Sequence, residues 1–228
     1  MSDAASLEGG AARRAQGYFL FSRLIMERPT AGLLEEIAAL PAPAEEGGAS
    51  AKELSELRRM AAGSAHYPER ITALAVEFTR LLGGLSERGG APPIESVVRE
   101  HRLLGDAAAA VAVAYADAGF PDPLPEAGPP DHLATELRFL ALCCYEEAEA
   151  WKRADDAVAL AWLERVCAFL NDHVAAWVPA YCVELAKRAH GGLYAVVARL
   201  IARACMLDLE DATAILRDAN RSAHAVRR

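Results

Sequence analysis

The chain has 228 residues, of which 53% are hydrophobic and 25% charged, so it has enough apolar surface for a packed core and is not a disordered chain. Its formal net charge is −8, and no cluster of Lys and Arg is interleaved with aromatic residues, which excludes nucleic acid as the expected partner. No uninterrupted apolar stretch approaches the roughly 18 residues of a membrane span. The five cysteines lie in apolar patterns without a Cys-x-x-Cys pair, so we expect reduced, buried thiols in a cytoplasmic protein.

Ala and Leu dominate the apolar residues, and apolar spacings of three and four recur along the chain, a pattern that predicts an all-α fold of about ten helices. The clearest amphipathic segment is 68–82, where Pro68 suits a first helical turn and the apolar residues share one face. The predicted helices are 11–27, 31–40, 51–62, 68–82, 95–117, 132–152, 157–173, 176–190, 192–207 and 209–222.

Three segments interrupt this pattern and are predicted to be loops. They are 41–50, rich in Ala, Glu and Gly; 83–93, a glycine loop ending in two prolines; and 119–130, which contains five prolines. Because proline fixes its own φ and restricts the preceding residue, 119–130 is the stiffest of the three. We therefore predict one domain over residues 1–228, with lobes at 11–118 and 131–222 joined by a hinge at 119–130.

Motifs of the common helical enzymes are missing from the sequence. No histidine has a Glu three residues before it or a His four residues away, the spacings of helical metal sites. Neither glycine pair is followed by the Lys-Ser/Thr of a phosphate-binding loop, and no Gly-x-Ser-x-Gly elbow occurs. We therefore expect a protein that is not an enzyme and that holds no metal or cofactor.

Polar residues gather where stiff loops enter helices. Asp131 is placed to cap the helix that follows it. His132, in the first turn, is expected to be mostly neutral because the helix dipole disfavours its charged form, unless Asp131 or Glu136 pairs with it. Glu136 follows His132 by four residues. Glu95 opens a second helix after two prolines; capping and helix-start chemistry alone also explain these residues. Glu77 and Arg80 are equally explained by a surface ion pair.

Four segments together resemble the TorD-like family of helical chaperones that mature molybdenum-containing oxidoreductases. The most distinctive is PDHLATELRFL at Pro130–Leu140, and EFTRLLGG at Glu77–Gly84, PPIES at Pro92–Ser96 and FLNDHVAAWVPAY at Phe169–Tyr181 support it. They follow the order and spacing of the family, so the resemblance extends over about residues 15–207.

The resemblance implies a cytoplasmic chaperone, monomeric or a domain-swapped homodimer, that binds the twin-arginine signal peptide or N-terminus of a molybdopterin oxidoreductase until its cofactor is inserted. The residues that it implies for peptide binding, taken together with Glu136 from the pattern above, are Asp131, His132, Pro92, Pro93, Ile94, Glu95, Leu81, Leu82 and Glu136. Ile94, Val98 and Leu82 stand where aromatic residues are frequent in the family, so the expected binding surface is aliphatic.

Two alternatives stay open at this level. A chaperone of the same family acts on a client that is not exported, as nitrate reductase assembly chaperones do. A different class is a helical nucleotide-binding or hydrolytic protein that uses Asp131, His132 and Glu136, although no phosphate-binding loop accompanies these residues.

Overall fold

The computed structural model describes residues 4–42, 50–83 and 90–226. Within these ranges the fold is all-α, as predicted, and its single β-bridge joins Ile94 to His132. Parts of two predicted loops, residues 43–49 and 84–89, lie outside the described residues. The helices are α1 (Ala4–Met26), α2 (Ala31–Ala38), α3 (Ala51–Ala62), α4 (Pro68–Leu82), α5 (Glu95–Glu100), α6 (Asp106–Asp117), α7 (Leu133–Lys152), α8 (Asp156–Phe169), α9 (Ala175–Arg188) and α10 (Leu193–Val226).

The single helix predicted at 95–117 is wrong, because it is broken into α5 and α6. The backbone turns left-handed at His101 and Leu104, where φ is 57° and 56°. The Glu100 carboxylate then caps α6, since it accepts hydrogen bonds from the N–H groups of Asp106 at 2.9 Å and Ala107 at 2.7 Å. These two bonds lower the pKa of Glu100. The spacing of apolar residues does not indicate a cap formed by a polar side chain, so it could not predict this break.

The break predicted at residue 208 is also wrong, because α10 runs unbroken from Leu193 to Val226. The Asp208 side chain does not compete for the helix backbone, since its oxygens accept hydrogen bonds from Arg14 at 3.0 Å and from the Tyr18 hydroxyl at 2.6 Å. Likewise α8 and α9 are joined without a break by one π-helical turn at Leu170–Val174.

Helix α7 is the centre of the fold. Leu133, Leu137 and Leu140 are fully buried on it, because α1 runs along one side and α8 packs against another. Helix α10 packs against both α9 and α3. Elements from both sides of the segment 119–130 therefore contribute to one hydrophobic core, and the division into two lobes stays a prediction.

The four core cysteines behave as buried apolar side chains. Cys143, Cys144, Cys182 and Cys205 are buried, Cys167 is half-buried, and none forms a disulfide. Burial raises the pKa of Cys143 to about 12, so its thiol stays protonated and unreactive.

Length and composition alone would let one described helix cross a membrane. It is the continuous helix 156–188, and half of its most apolar window is buried inside the fold. The core helix of a soluble protein meets the same criterion.

Candidate peptide-binding site

The two proline-containing segments that precede α5 and α7 lie side by side. We call this meeting point the junction and define it as residues 92–96 and 129–136. The backbones run antiparallel here, because the N–H of Glu95 donates to the carbonyl of Asp131 at 2.9 Å and the N–H of Leu133 donates to that of Pro93 at 2.8 Å. The Tyr115 hydroxyl on α6 holds the same segment through the carbonyl of Pro130, at 2.9 Å.

Asp131 caps a different helix from the one predicted. It is fully buried, and its Oδ2 accepts a hydrogen bond from the backbone N–H of Ser96 at 2.7 Å. The carboxylate therefore satisfies a free donor in the first turn of α5, thirty-five residues earlier in the chain. The prediction that Asp131 caps its own helix is wrong, because His132 occupies the cap position of α7.

His132 caps α7 with its imidazole ring. Its Nδ1 accepts a hydrogen bond from the backbone N–H of Ala134 at 3.2 Å, so Nδ1 carries no proton. Burial lowers the pKa of His132 to about 4, and the nearby charge of Asp131 offsets only part of this effect. The expected neutral ring agrees with this pKa, although the main cause is burial and not the helix dipole.

Two buried glutamates lie next to each other at the junction. Glu95 is fully buried, with Oε2 3.0 Å from Nδ1 of His173 and Oε1 paired with Arg99. Glu136 is fully buried too, and its Oε2 accepts a hydrogen bond from Nε1 of Trp177 at 3.3 Å. Burial first, and then the charges of Glu95 and Asp131, raise the pKa of Glu136 well above its usual value. The raised pKa favours the neutral, protonated form of Glu136 beside Glu95.

Several polar atoms of the junction have no donor or acceptor facing them within the described part of the chain. They are the hydroxyl oxygens of Ser96 and Thr135, Oδ1 of Asp131 and Oε1 of Glu136. Buried polar atoms without partners are rare in native proteins, because each costs about 1–3 kcal/mol. Their concentration at one place marks the junction as a site able to accept additional hydrogen bonds.

Seven of the nine predicted binding residues come together at the junction: Pro92, Pro93, Ile94, Glu95, Asp131, His132 and Glu136. All are buried except Pro92 and His132, which are half-buried. The junction is therefore closed by its own side chains, and neither of the open grooves described below is lined by it.

Leu81 and Leu82 are buried in the main core, with 2% and 7% of their surfaces exposed. Helix α4 contacts the end of α9, because Arg80 donates a hydrogen bond to the carbonyl of Arg188 at 3.0 Å. Arg80 also lies 4.0 Å from Glu77, the ion pair that the sequence allowed. The two leucines thus belong to the core and expose almost no surface to a partner.

His173 and Trp177 are site residues that sequence reasoning missed. Both lie in the segment that resembles the chaperone family, four residues apart, a spacing that places them on one helix face. They reach the two buried glutamates, Glu95 and Glu136 respectively. His173 lies in the π-helical turn Leu170–Val174, a feature frequent at functional sites. The four-residue spacing of two rings with polar atoms in a largely apolar segment was the available signal.

Open surface exists along α1. A groove of about 1090 Å³ lies between α1 and α10, and a second of about 1070 Å³ lies beside α1, α7 and the facing ends of α2 and α3. Among the described residues, no group of three or more His, Cys, Asp or Glu side chains is arranged to hold a metal ion.

Comparison with known proteins gives two matches. The family model described as nitrate reductase delta subunit matches residues 44–183, more than half of the chain. A protein of Photobacterium profundum described as chaperone protein TorD is 28% identical over 136 residues, which cover 59% of this chain. The chain spans 62% of the length of that relative. No solved structure matches.

Proposed function

The chain belongs to the nitrate reductase delta subunit family, and on this basis we propose that it is a cytoplasmic chaperone, not an enzyme, for a molybdopterin-containing oxidoreductase. It binds the client's N-terminal segment and holds the client until its cofactor is inserted. The observation that carries the proposal is the family match over residues 44–183, which includes the junction and its three buried acids. The similarity to a chaperone named TorD supports it.

The bound segment is proposed to be a twin-arginine signal, with basic residues followed by an apolar stretch. An arginine carries five N–H donors in a fixed fork that suits carboxylates. The junction offers the acceptors for such a fork, since Oδ1 of Asp131 has no partner among the described residues and Glu95 and Glu136 lie beside it. All three acids are fully buried, so a guanidinium reaches them only when the junction opens.

Opening the junction breaks few interactions. The two backbone hydrogen bonds of the β-bridge join the two segments and contribute about 0.5–1.5 kcal/mol net each. The bond from the Ser96 N–H to the Asp131 carboxylate adds about 1.5–3 kcal/mol. Prolines on both strands limit how many more bonds the segments can make, because proline has no N–H. We propose that Asp131, His132, Pro92, Pro93, Ile94 and Glu95, with Glu136, form the binding surface in this opened state, beside Leu81 and Leu82.

The affinity required of such a site is moderate. Micromolar binding corresponds to about −8 kcal/mol, and a fully buried aliphatic side chain contributes roughly 1.5–3 kcal/mol before ordering costs. About five or six apolar contacts therefore suffice, with the carboxylates setting the register. Opening the junction lowers the observed affinity, which suits a chaperone that must release its client.

Maturation of a client enzyme tests the proposal. A molybdopterin oxidoreductase with a twin-arginine signal is produced with and without this chain, and molybdenum per client molecule is measured by mass spectrometry. We expect the content to fall without the chain, and equally with the double variant Asp131→Asn and His132→Asn, which keeps both capping acceptors. The exposed variant Asp122→Asn serves as control. Equal molybdenum content in all samples contradicts the proposal.

A client that stays in the cytoplasm is the second candidate. The description of the matched family as nitrate reductase delta subunit favours it. The same measurement on a client without a twin-arginine signal separates the two. Cofactor insertion that depends on this chain only for the unsignalled client assigns it to the second class.

A further inference from the structure

Glu95 of the junction has an arginine partner within its own helix. Its Oε1 is paired with the guanidinium of Arg99, which lies four residues later on α5. Glu95 is fully buried, whereas 40% of the Arg99 side chain is exposed. A cation that extends from the surface therefore neutralises the buried acid. This is the kind of contact proposed above for an arginine of the client, made here by the chain itself.

The other two acids of the junction contact neutral donors instead. Asp131 accepts a hydrogen bond from the backbone N–H of Ser96, and Glu136 accepts one from the indole of Trp177. Each of these acids has a second oxygen with no partner among the described residues. A guanidinium that enters the junction therefore meets open acceptors on the segment 129–136 and an occupied acceptor at Glu95.

Opening the junction does not separate Arg99 from Glu95. The segments that part are 92–96 and 129–136, and the backbone hydrogen bonds that break run between them. Arg99 and Glu95 both lie on α5, at the i, i+4 spacing that brings side chains of one helix into contact. Arg99 therefore still occupies Glu95 in the opened state, and a client guanidinium must take its place there.

Exchange of one guanidinium for another avoids an unpaired buried charge. Glu95 keeps a cationic partner before and after the exchange, so the costly state of a buried carboxylate without its cation is not populated. Arg99 is already partly exposed, so it regains water easily when it is released. The exchange lowers the affinity for the client by the strength of the pair that it breaks, and the reverse exchange favours release.

We propose that Arg99 is an internal competitor of the client's arginine pair. In the free chain it occupies Oε1 of Glu95. On binding, one client arginine replaces it there while the other pairs with Asp131. When the client withdraws its segment, Arg99 returns to Glu95 and prevents immediate rebinding. This inference rests on the function proposed above and adds to it a means of release.

Calorimetric titration of the variant Arg99→Met with a synthetic twin-arginine signal peptide tests the competition. Methionine keeps much of the apolar stem and removes the charged group. We expect the variant to bind the peptide at least about threefold more tightly than the unaltered chain, since a competing, partly exposed pair is removed.

Arg102→Met is the matched control. It removes the same charge three residues further along, where Arg102 pairs with Glu100 and Asp106 outside the junction. We expect its affinity to stay within about 1.5-fold of the unaltered chain. Arg99→Lys keeps the charge but not the planar fork of a guanidinium, so it should give an intermediate gain and stay folded if Arg99→Met does not.

Thermal unfolding distinguishes competition from a structural role alone. Free Arg99→Met should unfold at a lower temperature than the unaltered chain, because Glu95 loses its cation. Saturating peptide should then raise the melting temperature of the variant more than that of the unaltered chain, because it supplies the missing cation and binds more tightly.

Several outcomes would overturn the competition and leave the proposed function standing. They are equal or weaker binding by both Arg99 variants, an equal gain in Arg102→Met, and an equal gain for a peptide in which glutamines replace both arginines. No saturable binding of the twin-arginine peptide to the unaltered chain or to the Arg99 variants would overturn both proposals.

Discussion

The carboxylate of Asp131 accepts a hydrogen bond from the backbone N–H of Ser96 at 2.7 Å, although the two residues open different helices. This bond couples the start of α5 to the entrance of α7. Because the remaining oxygen of Asp131 has no partner in the described part of the chain, the residue both holds the junction closed and presents an acceptor for a ligand. A substitution that removes the charge of Asp131 but keeps an oxygen should therefore affect binding and leave the cap in place.

Replacing Asp131 separates these two roles. Asp131→Ala removes a buried, charge-assisted hydrogen bond and should lower the free energy of unfolding by about 1.5–3 kcal/mol. Asp131→Asn keeps an oxygen for the Ser96 N–H and removes a negative charge beside Glu95 and Glu136, so we expect a change within about 1 kcal/mol. Urea unfolding measures both. If Asn is as harmful as Ala, the charge and not the cap stabilises the fold.

Because the pKa of His132 is lowered in the folded protein, we expect the free energy of unfolding to fall in mild acid. Its folded pKa of about 4 lies below the ordinary histidine value of 6.5, so the unfolded chain binds the proton more strongly between these values. The contribution of His132 is complete above pH 6.5 and is lost as the pH falls toward 4, at about 1.4 kcal/mol per unit of pKa difference. His132→Asn keeps a capping oxygen for Ala134 and does not titrate.

Thermal unfolding of both proteins from about pH 7 to about pH 4 checks this. The wild type should lose stability relative to His132→Asn as the pH falls. Parallel curves would show that the ring is not buried in the folded protein.

For Glu136 we expect the opposite pH dependence of its contribution to the free energy of unfolding. Its pKa is raised in the folded protein, so its contribution is complete below its usual value near 4.5 and is lost as the pH rises toward the folded pKa. Glu136→Gln mimics the protonated acid and should stay within about 1 kcal/mol of wild type near pH 4.5, then become relatively more stable with rising pH. Glu136→Ala leaves the Trp177 N–H unpaired and should cost about 1–3 kcal/mol.

Tryptophan fluorescence during denaturant titration at several pH values measures these changes in stability. A Gln variant that loses stability relative to wild type as the pH rises would contradict a protonated Glu136.

Arg14 should be the most sensitive basic residue of the fold. It lies between the buried acids Glu147 and Asp208, at 2.7 and 3.0 Å. Arg14→Ala leaves both without their cation, and breaking a buried pair costs about 3–5 kcal/mol. Arg23→Ala is the matched control on the same helix, because Glu27 and Glu36, its partners, are exposed and such pairs contribute less than about 1 kcal/mol. Similar losses in urea unfolding would contradict the buried network.

Apolar periodicity was sufficient to predict the all-α fold, because helices α2, α3 and α4 need only local spacing and caps to be recognised. It failed where a side chain accepts hydrogen bonds outside the spacing of its own helix. Glu100 caps α6 from a neighbouring helix, and Asp208 is drawn to Arg14, which lies 194 residues away. Such partners are invisible to local patterns.

The candidate site was predicted in the same uneven way. The motif around Asp131 and the PPIES segment come together as expected, because both open helices after prolines. Their burial was not predicted, since His173 and Trp177, which lie 78 and 41 residues away along the chain, contact the two glutamates. Only the packing of α9 and the preceding π-helical turn against the junction brings these rings to the glutamates.

Calorimetric titration of the intact chain with a synthetic twin-arginine signal peptide tests the central claim most directly. We expect saturable 1:1 binding in the micromolar range, with affinity reduced when the arginine pair is replaced by glutamines and when Asp131→Asn is combined with His132→Asn. The absence of saturable heat, or equal affinity for a peptide in which glutamates replace both arginines, would contradict the account.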